Sequence, residues 1–205
     1  MYLRPVECYR DRCMVTPGRR RHRYTYAEYV ALERESPTKH EYFDGEIYAM
    51  VGGSEDHSAL ALNVLAALSS AVEERHCRVH TSDLRIYVEA VGFATFPDGS
   101  VICGPLQQHA PSPNATALNP LVLLEVTNAS TEDYDTGEKL DAYKTIPTLR
   151  EVIVVAHRER RITVHRRDAA GAWTMRVAIT GGRVTVESLG AELIVDAIYR
   201  NSTIA

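Results

Sequence analysis

The run Leu121-Val122-Leu123-Leu124-Glu125-Val126, introduced by Pro120, constrains this chain more than any other stretch. Its apolar residues are consecutive rather than alternate, which marks a strand covered on both faces in the middle of a sheet. Inside that strand stands one ionisable group, Glu125. An unpaired carboxylate buried among Val and Leu is costly, so Glu125 needs a cation or hydrogen-bond donors beside it.

Two neighbours in the sequence can answer that need. Asp98 sits at the edge of an upstream strand, after Pro97, which cannot continue a ladder. Lys139 lies in Gly137-Glu138-Lys139, on the helix that follows Glu125. A hard dication such as Mg2+ prefers oxygen ligands and commonly uses one or two carboxylates. Asp98 and Glu125 are therefore the candidate metal pair, and the main-chain carbonyl of Val126 is a further ligand if the strand runs past the ion. Lys139 is the candidate to orient or deprotonate a water beside the metal. Deprotonation requires its pKa to fall from about 10.4; otherwise it acts through charge alone.

A chain of 205 residues, 45% hydrophobic and 24% charged, can bury a substantial core, and one domain over residues 24–205 is expected. Residues 1–23 lack periodicity, and their seven arginines against Glu7 and Asp11 give +5, leaving −9 for the rest of a chain of net charge −4. They read as a basic, loosely ordered extension. An acidic body is a poor generic binder of polyanions. Local positive charge would have to come from Arg19, Arg20, Arg21 and Arg23, or from Arg158, Arg160, Arg161, Arg166 and Arg167. No run approaches the roughly 18 apolar residues of a membrane helix, and the start lacks a secretory h-region, so a cytoplasmic protein without membrane contact is expected. The cysteines, Cys8, Cys13, Cys77 and Cys103, show no CxxC spacing, and neither a disulfide framework nor a zinc site is expected; Cys103 reads as a buried thiol.

Local signals predict most elements. Thr25-Tyr26-Ala27-Glu28 fits a capping box that opens a helix ending before Pro37. Asp44-Gly45 separates two apolar runs as a hairpin turn does. Ser54 is the expected N-cap of a helix with Leu60, Val64, Leu68 and Val72 on one stripe. Strands are expected over Val79–Val88, Phe93–Phe96 and Ser100–Cys103, then a surface loop over Gly104–Asn119. After the Leu121–Val126 strand come a helix from Thr136 to Ile146 and strands over Glu151–Ala156, Arg161–Arg166, Trp173–Thr180 and Arg183–Glu187. The last two are read as paired through Gly181-Gly182, with a closing helix over 192–199.

The motifs His40-Glu41-Tyr42-Phe43-Asp44-Gly45-Glu46, Gly52-Gly53-Ser54 with His57, Ser82-Asp83-Leu84-Arg85, Phe96-Pro97-Asp98, Glu125-Val126, Ser130-Thr131, Tyr134-Asp135, Gly137-Glu138-Lys139 and Tyr143 occur in order. Together they resemble the Uma-type family of restriction-endonuclease-like proteins, over about Tyr24 to Tyr199. The resemblance implies the PD-(D/E)XK nuclease fold, an α/β (α+β) architecture with a central mixed sheet flanked by helices and additional C-terminal hairpins. It implies Mg2+ or Mn2+ at the acids and DNA as substrate. The usual third-motif lysine, two residues after the second acid, is Thr127 here; the resemblance places that role on Lys139 and an accessory acid on Glu41 or Glu46, with Glu41 preferred. Ser54 and His57 fall at a helix start, where free amides favour phosphate. Gly99 stands where relatives often carry a β-branched residue. A homodimer is expected by analogy with duplex cleavage. The alternative is a nuclease-fold module that binds nucleic acid or a protein without cutting.

Overall fold

The structure, a computed structural model, describes residues 22–50, 52–109, 116–129 and 132–204. Most of the expected basic extension, including Arg19, Arg20 and Arg21, lies outside the described residues, as do Cys8, Cys13, Ser130 and Thr131. Helix α1 (Tyr26–Glu35) opens on the expected capping box: the Glu28 amide donates to the Thr25 hydroxyl while the Thr25 amide donates back to the Glu28 carboxylate. Strands β1 (His40–Phe43) and β2 (Glu46–Ala49) pair antiparallel around Asp44-Gly45. Both turn residues have positive φ, 43° and 87°, as a two-residue turn matched to strand twist requires. Helix α2 (Glu55–Ala71) is capped by Ser54 and buries Leu60, Val64 and Leu68 along one stripe.

The segment read as one strand from Val79 to Val88 is two, β3 (Cys77–Thr81) and β4 (Arg85–Val88), in different sheets. The Leu84 amide donates to the Thr81 carbonyl to make the turn, and Lys39, from a distant part of the chain, grips it at the Ser82 carbonyl and Asp83. Strands β5 (Phe93–Thr95) and β6 (Gly99–Cys103) follow as expected. The supposed surface loop from Gly104 carries a short buried strand, β7 (Thr116–Ala117), parallel to β4. Strand β8 (Val122–Val126) is buried at every position.

A parallel pair of strands needs a crossover, and the chain supplies one between β8 and β9 (Glu151–Val155) with helices α3 (Glu132–Thr136) and α4 (Glu138–Lys144). The helix expected over Thr136–Ile146 is α4, and the polar stretch before it, which reads as a turn, holds the short helix α3; Gly137 separates the two, and a Cβ there would lie 2.7 Å from the Asp133 carbonyl oxygen. Strands β10 (Arg161–Arg167) and β11 (Trp173–Ile179) complete a six-stranded sheet of order β11-β10-β9-β8-β6-β3, mixed because only β8 and β9 run parallel. A five-stranded sheet, β2-β1-β5-β4-β7, stands beside it.

The C-terminal part departs from expectation. Strand β12 (Arg183–Val186) does not pair with β11 but with β13 (Ala191–Ile194), in a separate hairpin, and only Val195–Ile198 is helical, α5. Alternation explains this: Val184, Val186, Ala191 and Leu193 are buried on one face, so the hairpin covers the main sheet as a layer instead of extending it. A second correction concerns Cys77 and Cys103, which face each other across β3 and β6 and form a disulfide. Their pairing follows from strand register across 26 residues of sequence, which no local spacing reports.

Along β8 and β9 successive residues enter opposite cores. Val122, Leu124, Val126, Ile153 and Val155 pack with α2 and the C-terminal hairpin. Leu123, Val152 and Val154 pack with Leu140 and Tyr143 of α4 and with β4 and β5. Glu125 falls in the second register, so its side chain is directed to the α4 side.

Candidate active site

At the end of β8 lies a cleft of about 730 Å³ bordered by Glu41, His57, Asp98, Glu125, Asp135 and Lys139, together with Val126. The sheet therefore brings Asp98 and Glu125 to one side, from the entrance to β6 and the end of β8. Lys139 reaches the same place because the crossover returns α4 over the sheet. Its ammonium lies 3.0 Å from Glu125 Oε1, 3.2 Å from Glu41 Oε1 and 3.4 Å from Asp135 Oδ1, with the side chain only 5% exposed.

Glu125 and Glu41 have neutral donors as well. The Tyr143 hydroxyl donates to Glu125 Oε1 at 2.5 Å, and the Thr95 hydroxyl donates to Glu41 Oε1 at 2.5 Å. Thr95 meets Glu41 because it stands one step beyond the Tyr42–Ala94 pair of the β1–β5 ladder. Tyr134 also hydrogen-bonds to Glu41, and its burial beside that carboxylate pushes its phenol up. Burial pushes the Glu125 carboxyl up to about 8, with Lys139 opposing and the Asp98 and Asp135 charges adding to the rise. Burial alone would lower Lys139, but Glu125, Tyr143, Glu41 and Asp135 outweigh it and hold the ammonium well above its ordinary range. Of the two roles open to Lys139, the electrostatic one is the one this setting supports; a lysine so held does not take up a proton from water.

Asp98 is anchored differently. The Val126 amide donates to its Oδ2 at 2.7 Å, and His57 Nε2 lies 3.2 Å from the same oxygen. The hydrogen bond to Asp98 pushes the imidazole up against the opposing effect of burial, and the ring also meets the Val126 backbone. His57 fits there because residue 53 is glycine: a Cβ at Gly53 would lie 2.4 Å from His57 Nδ1. Ser54 does not border the cleft; its hydroxyl accepts from the His57 amide as the α2 cap. Glu46 does not border it either, and its Oε2 accepts from the Tyr48 hydroxyl.

The donor set suits a hard dication. The described contacts of Asp98 fall on Oδ2 and those of Glu125 on Oε1, leaving one oxygen of each carboxylate for a further ligand. The N–H and C=O of a strand residue point the same way, so the Val126 carbonyl faces the Asp98 side, beyond the last β6–β8 pair at Gly99. Among the described residues no three His, Cys, Asp or Glu side chains gather closely enough to hold a metal by themselves. Two acids and a carbonyl, completed by water, are the kind of set Mg2+ accepts.

The residue sequence reasoning missed is Asp135. Its spacing of four from Lys139 was the available signal, since such pairs meet on a helix face. Thr95 had none, because only strand pairing brings it to Glu41. Gly99 is also explained: a Cβ there would lie 2.5 Å from Leu65 Cδ2, so α2 occupies the space a branched side chain would fill. The basic run near Arg158 is largely tied to acids, Arg158 to Glu132, Arg161 to Glu159 and Arg166 to Glu187. Among the described residues no helix is long and apolar enough to cross a membrane.

A mixed sheet presenting these acids at one cleft is the restriction-endonuclease-like fold. It is shared with a crystallised "putative nuclease belonging to DUF820" from Anabaena variabilis ATCC 29413, at a TM-score of 0.68 and 19% identity, over 84% of this chain and 96% of that one. The chain belongs to the Uma2 family, described as "Putative restriction endonuclease", whose pattern matches residues 26–196. Relatives include the uncharacterized proteins slr1290 and sll1609 of Synechocystis sp. (strain ATCC 27184 / PCC 6803 / Kazusa). The first is 32% identical over 84% of this chain and 90% of its own length, the second 28% identical over 64% and 73%.

Lys139→Met leaves three buried acidic side chains without their cation and is expected to destabilise the fold by about 3–5 kcal/mol in urea unfolding. Glu125→Gln behaves oppositely. With its pKa raised in the folded state to about 8 from an ordinary carboxyl value of 4.5, Glu125 gives its full contribution below about pH 4.5 and loses it as pH rises through about 8. The metal-free Glu125→Gln protein should therefore gain in Tm relative to wild type from pH 5 to pH 8; a constant difference would contradict the assignment. Gly53→Ala should expel the His57 ring from Asp98, seen by NMR as a fall in the imidazole pKa with the fold retained.

Proposed function

We propose that this protein is a divalent-metal-dependent endonuclease that hydrolyses DNA phosphodiester bonds. The observation that carries the reading is the convergence of Asp98, Glu125 and the Val126 carbonyl on one side of a cleft in a chain of the Uma2 family. These three groups are the metal-binding set of the proposal. Bound there, Mg2+ or Mn2+ supplies an activated water and a counter-charge for the phosphate.

The remaining residues act around that centre. Lys139 stays cationic, balances the acids and lends positive charge to the phosphate in the transition state. Glu41, held by Thr95, fixes the ammonium against Glu125 and so serves as the accessory acid in preference to Glu46. His57 orients Asp98 and is the residue of the Ser54–His57 pair that borders the cleft, where a substrate phosphate would meet it. Ser54 contributes by starting α2 at that point.

A homodimer belongs to the same reading. Among the described residues strand β11 pairs only with β10, and its outward row of Met175, Val177 and Ile179 is 59%, 50% and 61% exposed, which supports pairing with a second copy.

Purified protein should nick duplex DNA with Mn2+ or Mg2+, and Asp98→Ala should lower the rate by about 100-fold or more, the scale of losing a group that stabilises transition-state charge. Calorimetry should register Mn2+ uptake that Glu125→Ala abolishes. No cleavage, with no such uptake, would leave the non-catalytic binding module as the better description. Sedimentation velocity should give a dimer that Val177→Lys dissociates, and a monomeric wild type would remove that element.

A further inference from the structure

Arg85, in the Ser82-Asp83-Leu84-Arg85 motif, takes no part in the site above. It is 3% exposed, yet no carboxylate among the described residues forms an ion pair with it. Its Nε donates to Thr116 Oγ1 at 3.1 Å, and the Tyr29 and Tyr26 hydroxyls lie near it. The guanidinium carbon lies 5.4 Å from the Tyr29 ring centroid and 5.7 Å from that of Phe96. Its Nη1 has no hydrogen-bond partner. A guanidinium cannot shed its charge, so burial with a nitrogen left unanswered calls for an anion.

There is room for one. Arg85 borders a cavity of about 540 Å³ with Lys39, His80, Thr81 and Phe96, and Lys39, Thr81 and Phe96 also border the candidate active-site cleft. The two cavities therefore adjoin. Phe96 is within cation–π range of both cations, since Lys39 Nζ lies 5.4 Å from its centroid. The acids of this cavity are already paired: Glu33 with the His40 ring at 2.9 Å and the His40 amide at 3.1 Å, and Asp83 with Lys39 of the same cavity at 2.7 Å. Asp83 is exposed at the rim and can release Lys39 to a competing anion.

We propose that this second cavity is a binding subsite for a phosphate oxyanion, with Arg85 as its inner donor and Lys39 at its rim. The planar fork of a guanidinium matches phosphate oxygens two at a time. On the endonuclease reading, on which only this part rests, the phosphate is one of the DNA backbone beside the bond that is cut.

Inorganic phosphate added to the metal-free full chain should raise Tm by roughly 3–5 °C at about ten times Kd. Arg85→Met keeps the side-chain volume and removes the unpaired charge. It should leave the phosphate-free Tm unchanged or higher and weaken phosphate binding about tenfold or more. Lys39→Met, at the rim, should weaken it about two- to fivefold, and it reports on the site even if Arg85→Met fails to fold. Absence of a phosphate effect in wild type, or an equal effect in both variants, overturns the subsite. A short duplex oligonucleotide should displace the phosphate; if it does not, the backbone assignment falls and a free-phosphate site stands. Because these readouts need neither metal nor cleavage, an inactive protein that still binds phosphate through Arg85 would count against the nuclease reading alone.

Discussion

One buried ammonium ties together three buried acidic side chains, and the architecture of the cleft follows from it. Lys139 contacts Glu41 from β1, Glu125 from β8 and Asp135 from α3, so a single charge joins the two sheets and the crossover. In water such contacts are weak, but here every partner is almost fully buried, and losing the cation would leave like charges facing each other in low dielectric. Tyr143 and Thr95 take part of the load by donating to the same two carboxylate oxygens. The arrangement is stable because no group in it is left to stand alone.

Backbone geometry brings Asp98 and Val126 to this centre. The β6–β8 ladder closes at Gly99, and beyond that point Val126 turns its amide to Asp98 instead of to another strand. Two glycines allow the approach from the α2 side. Gly99 gives Leu65 its place against the sheet, and Gly53 admits the His57 ring. Both act through the absence of a Cβ at a tight contact, not through special dihedral angles. The parallel β8–β9 pair is equally necessary, since its helical crossover carries Lys139 and Tyr143 back over Glu125.

Much of the fold was legible where the signal is local. The Thr25–Glu28 capping box, the Asp44-Gly45 turn and the Leu60–Val64–Leu68 stripe each involve residues within a few positions of one another, and each formed as read. The departures have two causes. The split between β3 and β4 and the Cys77–Cys103 bond depend on partners brought from far along the chain, while the hairpin of β12 with β13 was missed because 192–199 was read as helix. At the cleft, Asp135 was visible as the fourth residue before Lys139, while Thr95 was visible only once β1 and β5 were paired.

The sequence by itself determined that Glu125 is buried, because its neighbours are all apolar, and that it therefore needs a partner. It also determined the family, through motifs whose order along the chain is specific. Tertiary structure decided how the groups meet: Lys139, already singled out in the sequence, contacts Glu125, Glu41 and Asp135 at once, and these neighbours hold it charged. The physical reason is that periodicity reports which face of an element is buried, whereas charge balance depends on distances between elements, and these exist only after the sheets, crossover and helices have packed.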